Sequence, residues 1–257
     1  MKRILNFILA SSVALVSGAV SAAPLNIFNG WNQLANEDGV GAGGYVGPGI
    51  GGQAFDAEYL FYKLEGTKLS VALQTGFDII SDKGYRHSDG RQYFNGDLAL
   101  SFDGNANNYE YAVDFGNATR GYNTGAKISA GSAGKDTDVA GLYKVTQWNN
   151  DILYGQSAPY GMDAGSLILA GNSSNFLQGN ALGLDNLLSY YSIFSFDLSN
   201  ITNLSQTFGF AAHWTMSCGN DEIEGSTTIT VPEPGPLLLL GLGLVGLVAV
   251  RRRMKKQ

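Results

Sequence analysis

The sequence is poor in the residues that carry most catalytic and metal-binding chemistry. Its 257 residues include one cysteine, two histidines and six prolines. A single cysteine excludes an internal disulfide. One cysteine and two histidines are too few for a structural zinc site, which takes four Cys or His ligands. The patterns Gly-x-Ser-x-Gly, His-Glu-x-x-His and the phosphate-binding loop do not occur. The chain is therefore expected not to be an enzyme.

Basic residues are also scarce in the middle of the chain. Residues 23–231 contain nine Lys and Arg against 21 Asp and Glu, which gives a net charge of −12. Phosphate binding needs clustered Lys and Arg, so we expect no nucleic acid and no anionic lipid as a partner. This charge is compatible with divalent cations and neutral glycans. A merely soluble, acidic surface explains it equally well.

Long apolar runs are confined to the two ends of the chain. At the C-terminus Pro232, Glu233 and Pro234 precede sixteen uncharged residues, 235–250. A helix of that length spans about 24 Å, slightly less than the ~30 Å hydrocarbon core of a bilayer. The residues that follow are basic and should keep this end in the cytoplasm: Arg251, Arg252, Arg253, Lys255 and Lys256.

This order of Pro-Glu-Pro triplet, apolar helix and basic tail resembles the PEP-CTERM sorting signal. The resemblance covers about a tenth of the chain. It implies processing by an exosortase, a membrane-embedded, transpeptidase-like cysteine protease of Gram-negative bacteria. The protein would be anchored transiently in the inner membrane and then reach the cell surface or the extracellular space. A permanent single-span anchor with a proline-bearing stalk is the alternative, although such an anchor is normally longer.

The N-terminus has the features of a secretory signal peptide. Residues 1–3 are positively charged, residues 4–16 are mostly apolar, and residues 20–22 place small side chains before a cleavage site between Ala22 and Ala23. Signal peptidase and the general secretion machinery are therefore expected partners. The predicted division is a signal peptide at 1–22, an exported domain at 23–231 and a sorting signal at 232–257.

Apolar and polar residues alternate along most of the exported domain, which is typical of strands with one buried face. Gly, Asn and Ser clusters separate these segments and indicate turns. We therefore predict an all-β domain, an antiparallel β-sandwich of jelly-roll type. The expected inward-facing sets are Leu69, Val71, Leu73 and Phe77; Leu98, Leu100 and Phe102; Tyr109, Tyr111, Val113 and Phe115; Phe208, Phe210, Trp214 and Met216; and Ile229 and Val231.

Helical periodicity is scarce, and only residues 182–191 are compatible with a short helix. Asp185 would be its N-cap. Two further stretches, the glycine-rich 39–52 and the polar 121–137, are predicted to be surface loops.

One hairpin has the oxygen-ligand spacing of a calcium loop. Asp103, Asn105 and Asn107 occupy positions 1, 3 and 5, and Asp114 falls at position 12. Ca2+ prefers several converging carboxylate and amide oxygens, so calcium is a candidate cofactor. Position 6 is Asn108 where the pattern has Gly, and position 12 is Asp where it has Glu. An ordinary Asn/Gly hairpin connection is the alternative.

A second constellation contains His213, Trp214, Cys218 and Asp221. Strand alternation places Trp214 and His213 on opposite faces, with Cys218 in the following turn, so a catalytic Cys-His pair is not expected. The segment resembles one that recurs upstream of the sorting signal in a subset of exosortase-dependent surface proteins. The resemblance marks the family and assigns no role.

Three classes of function follow. The first is a non-catalytic surface or extracellular-matrix protein that associates with exopolysaccharide and biofilm. The second is a carbohydrate-binding module, since residues 55–62 and the two strands after them resemble sugar-binding sandwiches, and tyrosines such as Tyr45, Tyr85 and Tyr160 would stack on sugars. The third is a secreted hydrolase with a carboxylate pair.

Overall fold

The structure is a computed structural model that describes residues 23–36, 46–47, 50–81, 83–117, 119–128 and 139–232. Within them the strands are β1 (Asn32–Asn36), β2 (Ala57–Glu65), β3 (Lys68–Thr75), β4 (Tyr85–Arg86), β5 (Gln92–Tyr93), β6 (Leu98–Ser101), β7 (Tyr111–Asp114), β8 (Thr119–Arg120), β9 (Lys127–Ile128), β10 (Gly141–Asn149), β11 (Gly161–Ala170), β12 (Phe176–Leu182), β13 (Leu188–Asp197), β14 (Thr207–Thr215) and β15 (Glu222–Thr230). Short 3-10 helices occur at Asn26–Phe28, Gln53–Phe55, Gly155–Ser157 and Leu198–Asn200.

None of the described helices is long and apolar enough to cross a membrane. The predicted membrane helix at 235–250 lies outside the described residues, as does the signal peptide at 1–22.

Two antiparallel sheets pack face to face, which confirms the predicted sandwich. The five-stranded sheet has the order β1-β2-β3-β13-β12, and the six-stranded sheet has the order β11-β10-β7-β6-β14-β15. One large apolar core lies between them, built from alternate residues of both sheets. Its fully buried side chains include Leu69, Leu73, Phe194, Phe210 and Trp214.

The connections between strands are simpler than those of a jelly roll. Most of them are hairpins within one sheet, and the chain passes between the two sheets three times: from β3 to β6, from β11 to β12 and from β13 to β14. A jelly roll is instead built from two Greek keys. The sandwich part of the prediction therefore holds, while the jelly-roll type does not match these connections.

The predicted inward-facing sets belong to this core with one exception. Tyr109 packs against Ala99 and Ala211 on the outer face of the six-stranded sheet. It precedes β7, which begins only at Tyr111. The alternation that holds from Tyr111 to Phe115 therefore does not extend back to Tyr109.

The helix predicted at 182–191 is wrong. Asp185 lies in the turn of the β12–β13 hairpin, where its Oδ1 accepts a hydrogen bond from the backbone N–H of Leu187 at 2.8 Å. Asn186 has φ +63°, a left-handed conformation that ends any helical run. Because β13 pairs with β3 on one side and with β12 on the other, sheet pairing overrides the local helical pattern.

The termini leave the sandwich from opposite ends. Along β3 and β13, Lys68 pairs with Asp197 at one end and Thr75 pairs with Tyr190 at the other. Ala23 contacts Gln74 near the second of these ends. Val231 and Pro232 lie beside Leu198 at the first. We call the first end, marked by Lys68 and Asp197, the tail end, and the opposite one the loop end; eight residues of β3 separate them, about 25 Å.

Candidate functional site

The predicted sorting motif begins at the tail end of the sandwich. Strand β15 ends at Thr230, and the Val231 N–H donates to the carbonyl of Gln206 at 2.9 Å. Pro232 is exposed and is the last described residue. The other predicted sorting residues lie outside the described residues: Glu233, Pro234, Arg251, Arg252, Arg253, Lys255 and Lys256.

The predicted signal-peptidase site lies at the loop end. Ala22 is outside the described residues, and Ala23 is the first residue that the structure describes. The Ala23 backbone N–H donates to Asp185 Oδ2 at 3.2 Å, and the Ala23 carbonyl accepts from Gln74 Nε2 at 3.0 Å. The residue after the predicted bond is therefore held by the sandwich.

The four predicted calcium ligands do not converge. Leu98 pairs with Val113 and Leu100 with Tyr111, so Asp114 is level with residue 97, while Asp103 follows the opposite end of β6. Asp103 instead accepts from the Ser101 hydroxyl and the Asn105 N–H, both at 2.8 Å.

Two further members of the predicted set, Asn105 and Asp114, form local hydrogen bonds. Asn105 accepts from the Asn107 N–H at 3.0 Å, and Asp114 is buried and accepts from the Gly116 N–H at 2.6 Å. In the described part of the chain no three His, Cys, Asp or Glu side chains form a group suited to a metal ion. The hairpin is thus an Asx-turn connection, and the twelve-residue calcium loop is not formed.

The constellation from His213 to Asp221 is buried and satisfied by hydrogen bonds. His213 Nε2 donates to the carbonyls of Ser157 and Pro159, both at 3.1 Å. Burial lowers the pKa of His213 to about 4, and these two hydrogen bonds only partly offset the burial. On the opposite face, as predicted, Trp214 Nε1 donates to Asn95 Oδ1 at 3.0 Å. The imidazole is therefore neutral near pH 7.

Cys218 and Asp221 are also built into the packing. The Cys218 thiol donates to Asn220 Oδ1 at 2.6 Å, and burial raises its pKa to about 12. Such a thiol is protonated at neutral pH and is a poor nucleophile. Asp221 is fully buried and its carboxylate accepts from the backbone N–H groups of Ala57 and Glu222. The predicted family segment thus ties β14 and β15 to the start of β2.

Of the tyrosines predicted to stack on sugars, Tyr160 is a core residue. It is fully buried, and its hydroxyl lies within hydrogen-bond distance of the carbonyls of Phe94, Asn95 and Arg120. Tyr85 packs edge-on against Phe55 at 5.0 Å, and Tyr45 lies outside the described residues. The stacking role predicted for Tyr160 is therefore wrong.

A different set of residues forms a polar cleft at the loop end. It is lined by Arg91, Gln92, Tyr122, Asn123 and Leu153, and it has a volume of about 410 Å³. These residues come from the β4–β5 hairpin, the β8–β9 hairpin and the segment after β10. The Arg91 guanidinium lies 5.2 Å from the centre of the Tyr122 ring, and the ring of Tyr93 stacks on Tyr122 at 6.1 Å. We call this group the loop-end cleft.

The carboxylate of Asp151 holds one wall of the loop-end cleft in place. Its Oδ1 accepts from the backbone and side-chain N–H groups of Asn123, and its Oδ2 accepts from the backbone N–H and hydroxyl of Thr124. Partial desolvation acts to raise the pKa of Asp151, but the four hydrogen bonds outweigh it and lower the pKa to about 2. The Asn123 side chain is therefore fixed before any ligand arrives.

Basic and acidic residues both lie around the loop-end cleft. Lys83, Arg86, Arg91 and Arg120 lie on its two hairpins or next to them, and Arg91 lines the cleft itself. The carboxylates of Asp89 and Asp151 lie on the same connections. Across the described residues, none of these four basic residues forms an ion pair; the recorded pairs are Lys63–Glu65 and His87–Asp89.

Planar amide and guanidinium groups beside an aromatic ring are chemically suited to hydroxyl-rich and carboxylated ligands. Sequence reasoning missed this cleft because its residues are far apart in the chain and carry no motif.

Comparison with known proteins finds a match to one region of the chain, at its C-terminal end. A family model described as the PEP-CTERM protein-sorting motif matches residues 230–253. No curated protein and no solved structure matches the chain. The match begins at the last residue of β15, so the β-sandwich itself lies outside it.

Proposed function

Because this chain carries a PEP-CTERM sorting motif, we propose that it is an exported, non-catalytic surface or extracellular-matrix protein. In this proposal an exosortase processes the protein, which then associates with exopolysaccharide in biofilm. The observation that carries this proposal is the motif at 230–253, which begins where the last strand ends. A protease acting on the Pro-Glu-Pro segment would release the whole sandwich, because the motif begins after the core strands are complete.

The route follows from the two ends of the chain. The general secretion machinery exports the domain, and signal peptidase removes residues 1–22. The apolar segment 235–250 then holds the protein in the inner membrane, with Arg251 to Arg253 in the cytoplasm. Exosortase cleavage sends the sandwich to the cell surface or beyond it.

The absence of catalysis is supported by the state of the residues best suited to it. The imidazole of His213 and the thiol of Cys218 are buried, and each forms hydrogen bonds within the fold. A nucleophile needs an accessible thiolate and a base within reach, and these two groups offer neither.

A carbohydrate-binding module is a second candidate, which the loop-end cleft favours. Arg91, Gln92 and Asn123 supply donors and acceptors beside the Tyr122 ring. The sorting tail leaves from the opposite end, so a domain held by its tail would present the cleft away from the attachment point. A sugar-binding site has to face the matrix in this way.

Intact-mass analysis of the native protein tests the sorting route. Secreted and membrane fractions are compared between the native host and an exosortase-deficient strain, and a variant with Pro232, Glu233 and Pro234 all replaced by alanine serves as the matched control. We expect a secreted form without residues 1–22 and without the apolar tail. A mass that runs through Gln257 in both strains would mean a permanent anchor.

Retention on the exopolysaccharide of the host tests the glycan role. We expect Arg91→Ala and Tyr122→Ala to weaken retention about tenfold or more, since each removes a charge-assisted or stacking contact. Lys68→Ala removes one exposed cation at the tail end and is the matched control. Equal weakening in all three variants would indicate unspecific charge attraction, and newly released reducing ends would indicate a hydrolase.

A further inference from the structure

The first residues after the predicted signal-peptidase site form a plug on the outer face of the five-stranded sheet. Leu25 and Phe28 are buried there among Tyr59, Phe61 and Ile193. The Phe28 ring stacks on Phe61 with centroids 4.4 Å apart. This apolar contact holds residues 23–31 in one position and so determines where residue 23 lies.

The side chain of Gln74 fixes the backbone of residues 23–25 through hydrogen bonds. It is fully buried, its Oε1 accepts from the Leu25 N–H at 2.9 Å, and its Nε2 donates to the Ala23 carbonyl at 3.0 Å. Its Nε2 also donates to Glu58 Oε2 at 2.7 Å. The side-chain amide therefore serves as a strand partner for residues 23–25, and a shift by one residue would break both contacts.

Asp185 stands at the position where this segment starts. Its Oδ2 accepts from the Ala23 nitrogen at 3.2 Å, while its Oδ1 accepts from the Leu187 N–H in the β12–β13 turn at 2.8 Å. The turn thus orients the carboxylate toward Ala23. In the precursor that nitrogen is a neutral amide with a single hydrogen.

We propose that Asp185 receives the α-ammonium group that signal-peptide removal creates at Ala23. Hydrolysis of the Ala22–Ala23 bond adds one water molecule; Ala22 gains the carboxylate and the Ala23 nitrogen becomes a charged –NH₃⁺ with three donors. The hydrogen bond from a neutral amide to the Asp185 carboxylate then becomes an ion pair between an ammonium and a carboxylate. Cleavage therefore locks the N-terminal plug, and the mature domain is more stable than its precursor.

The same geometry favours Ala23 as the first residue of the mature domain. Removal of Ala23 would eliminate the carbonyl that Gln74 binds and would leave Pro24, whose ring nitrogen would follow the scissile bond. The titratable side chains that contact the plug, Ala23 or Gln74 are Glu58, Tyr59, Asp185 and Tyr191. Among the described residues of this sheet, the cations Lys63 and Lys68 lie toward the tail end, away from Ala23.

The test uses the exported protein with its natural N-terminus. The α-amine is labelled by ¹³C reductive methylation and titrated by NMR in the native protein, in Asp185→Asn and in the control Asp163→Asn. We expect the α-amine pKa of the native protein and of the control to lie above the ordinary value of about 7.7, and that of Asp185→Asn to be lower by about half a unit. N-terminal sequencing should give Ala23 as the first residue.

Acetylation of the α-amine provides a second measurement, which can be made on the native protein even if Asp185→Asn folds poorly. Acetylated native protein should unfold at lower urea concentration than the free amine, and the unfolding constant should change about threefold. Acetylation of Asp185→Asn should have no further effect. Equal α-amine pKa values in native and Asp185→Asn protein, or a natural N-terminus other than Ala23, would overturn the proposal.

Discussion

Glu58 is a buried carboxyl group whose titration should contribute strongly to the pH dependence of folding. It is 1% exposed. Its Oε1 accepts from Gln53 Nε2 at 2.7 Å and from the Ser189 hydroxyl at 3.0 Å, and its Oε2 accepts from Gln74 Nε2 at 2.7 Å. Burial raises the pKa of Glu58 and the three hydrogen bonds lower it, with a net value of about 7 against 4.5 for the unperturbed group.

The sign of the effect follows from proton binding in the two states. Between pH 4.5 and about 7 the folded protein keeps the proton of Glu58, while the unfolded chain has lost it, so the contribution of Glu58 to stability falls as pH rises through this window. A pKa difference of about 2.5 units corresponds to about 3 kcal/mol. The contribution is fully present below pH 4.5 and has been lost above about pH 8.

The perturbation is Glu58→Gln, which keeps the shape and removes the charge. Its amide N–H₂ would face one of the three donors, which adds a cost of about 1–3 kcal/mol that does not depend on pH. We expect the free energy of urea unfolding of the variant, relative to native protein, to improve by about 3 kcal/mol from pH 4.5 to pH 8. The exposed Glu65→Gln is the control and should follow the native curve.

Parallel stability curves for native protein and Glu58→Gln across this range would refute the reasoning. That result would mean that Gln53, Gln74 and Ser189 keep the carboxylate ionised in the folded state despite its burial. The hydrogen bonds would then outweigh the desolvation that we take as the larger contribution.

Three further predictions concern other buried groups. Because the pKa of His213 is lowered to about 4 from 6.5, its titration should cost about 3 kcal/mol as pH falls through that window, opposite in sign to the Glu58 contribution, so native protein should lose this amount relative to His213→Gln in urea titrations. Cys218 should react with a disulfide reagent at pH 8 only after unfolding, and rapid labelling of the native state would contradict its burial. Gly225→Ala should destabilise by about 1–3 kcal/mol in chemical denaturation, since its Cβ would lie 2.6 Å from the Leu34 carbonyl oxygen, whereas Gly155→Ala adds a Cβ in open space.

Sequence reasoning worked where one face of a strand is buried and the other is not. The alternation at 68–77 and 207–216 places Leu69, Val71 and Phe210 in the core as predicted. It predicted no inward-facing set for β10, where register shifts after Leu142 and around Gln147 break the period of two. It failed at 182–191, because the apolar spacing there belongs to a hairpin whose turn is set by Asp185 and Asn186.

Sequence reasoning also succeeded for some candidate sites and failed for others. The sorting motif is continuous in sequence, so its residues were identified without the fold, and the family match covers residues 230–253. The calcium spacing was continuous too, but ladder pairing placed Asp114 at the far end of its strand from Asp103. The loop-end cleft joins Arg91, Tyr122 and Leu153 from three separate connections.

The sequence by itself determined the sorting motif and the β-rich character of the domain, because charge, apolar length and period are local properties of a chain. Tertiary structure alone decided which polar groups are buried, as at Glu58 and His213, since burial depends on what packs from other strands. It also decided that Ala23 and Asp185, 162 residues apart, meet at one end of the sandwich, while the sorting tail leaves from the other. Pairing across a sheet sets such distances, and no short stretch of sequence contains them.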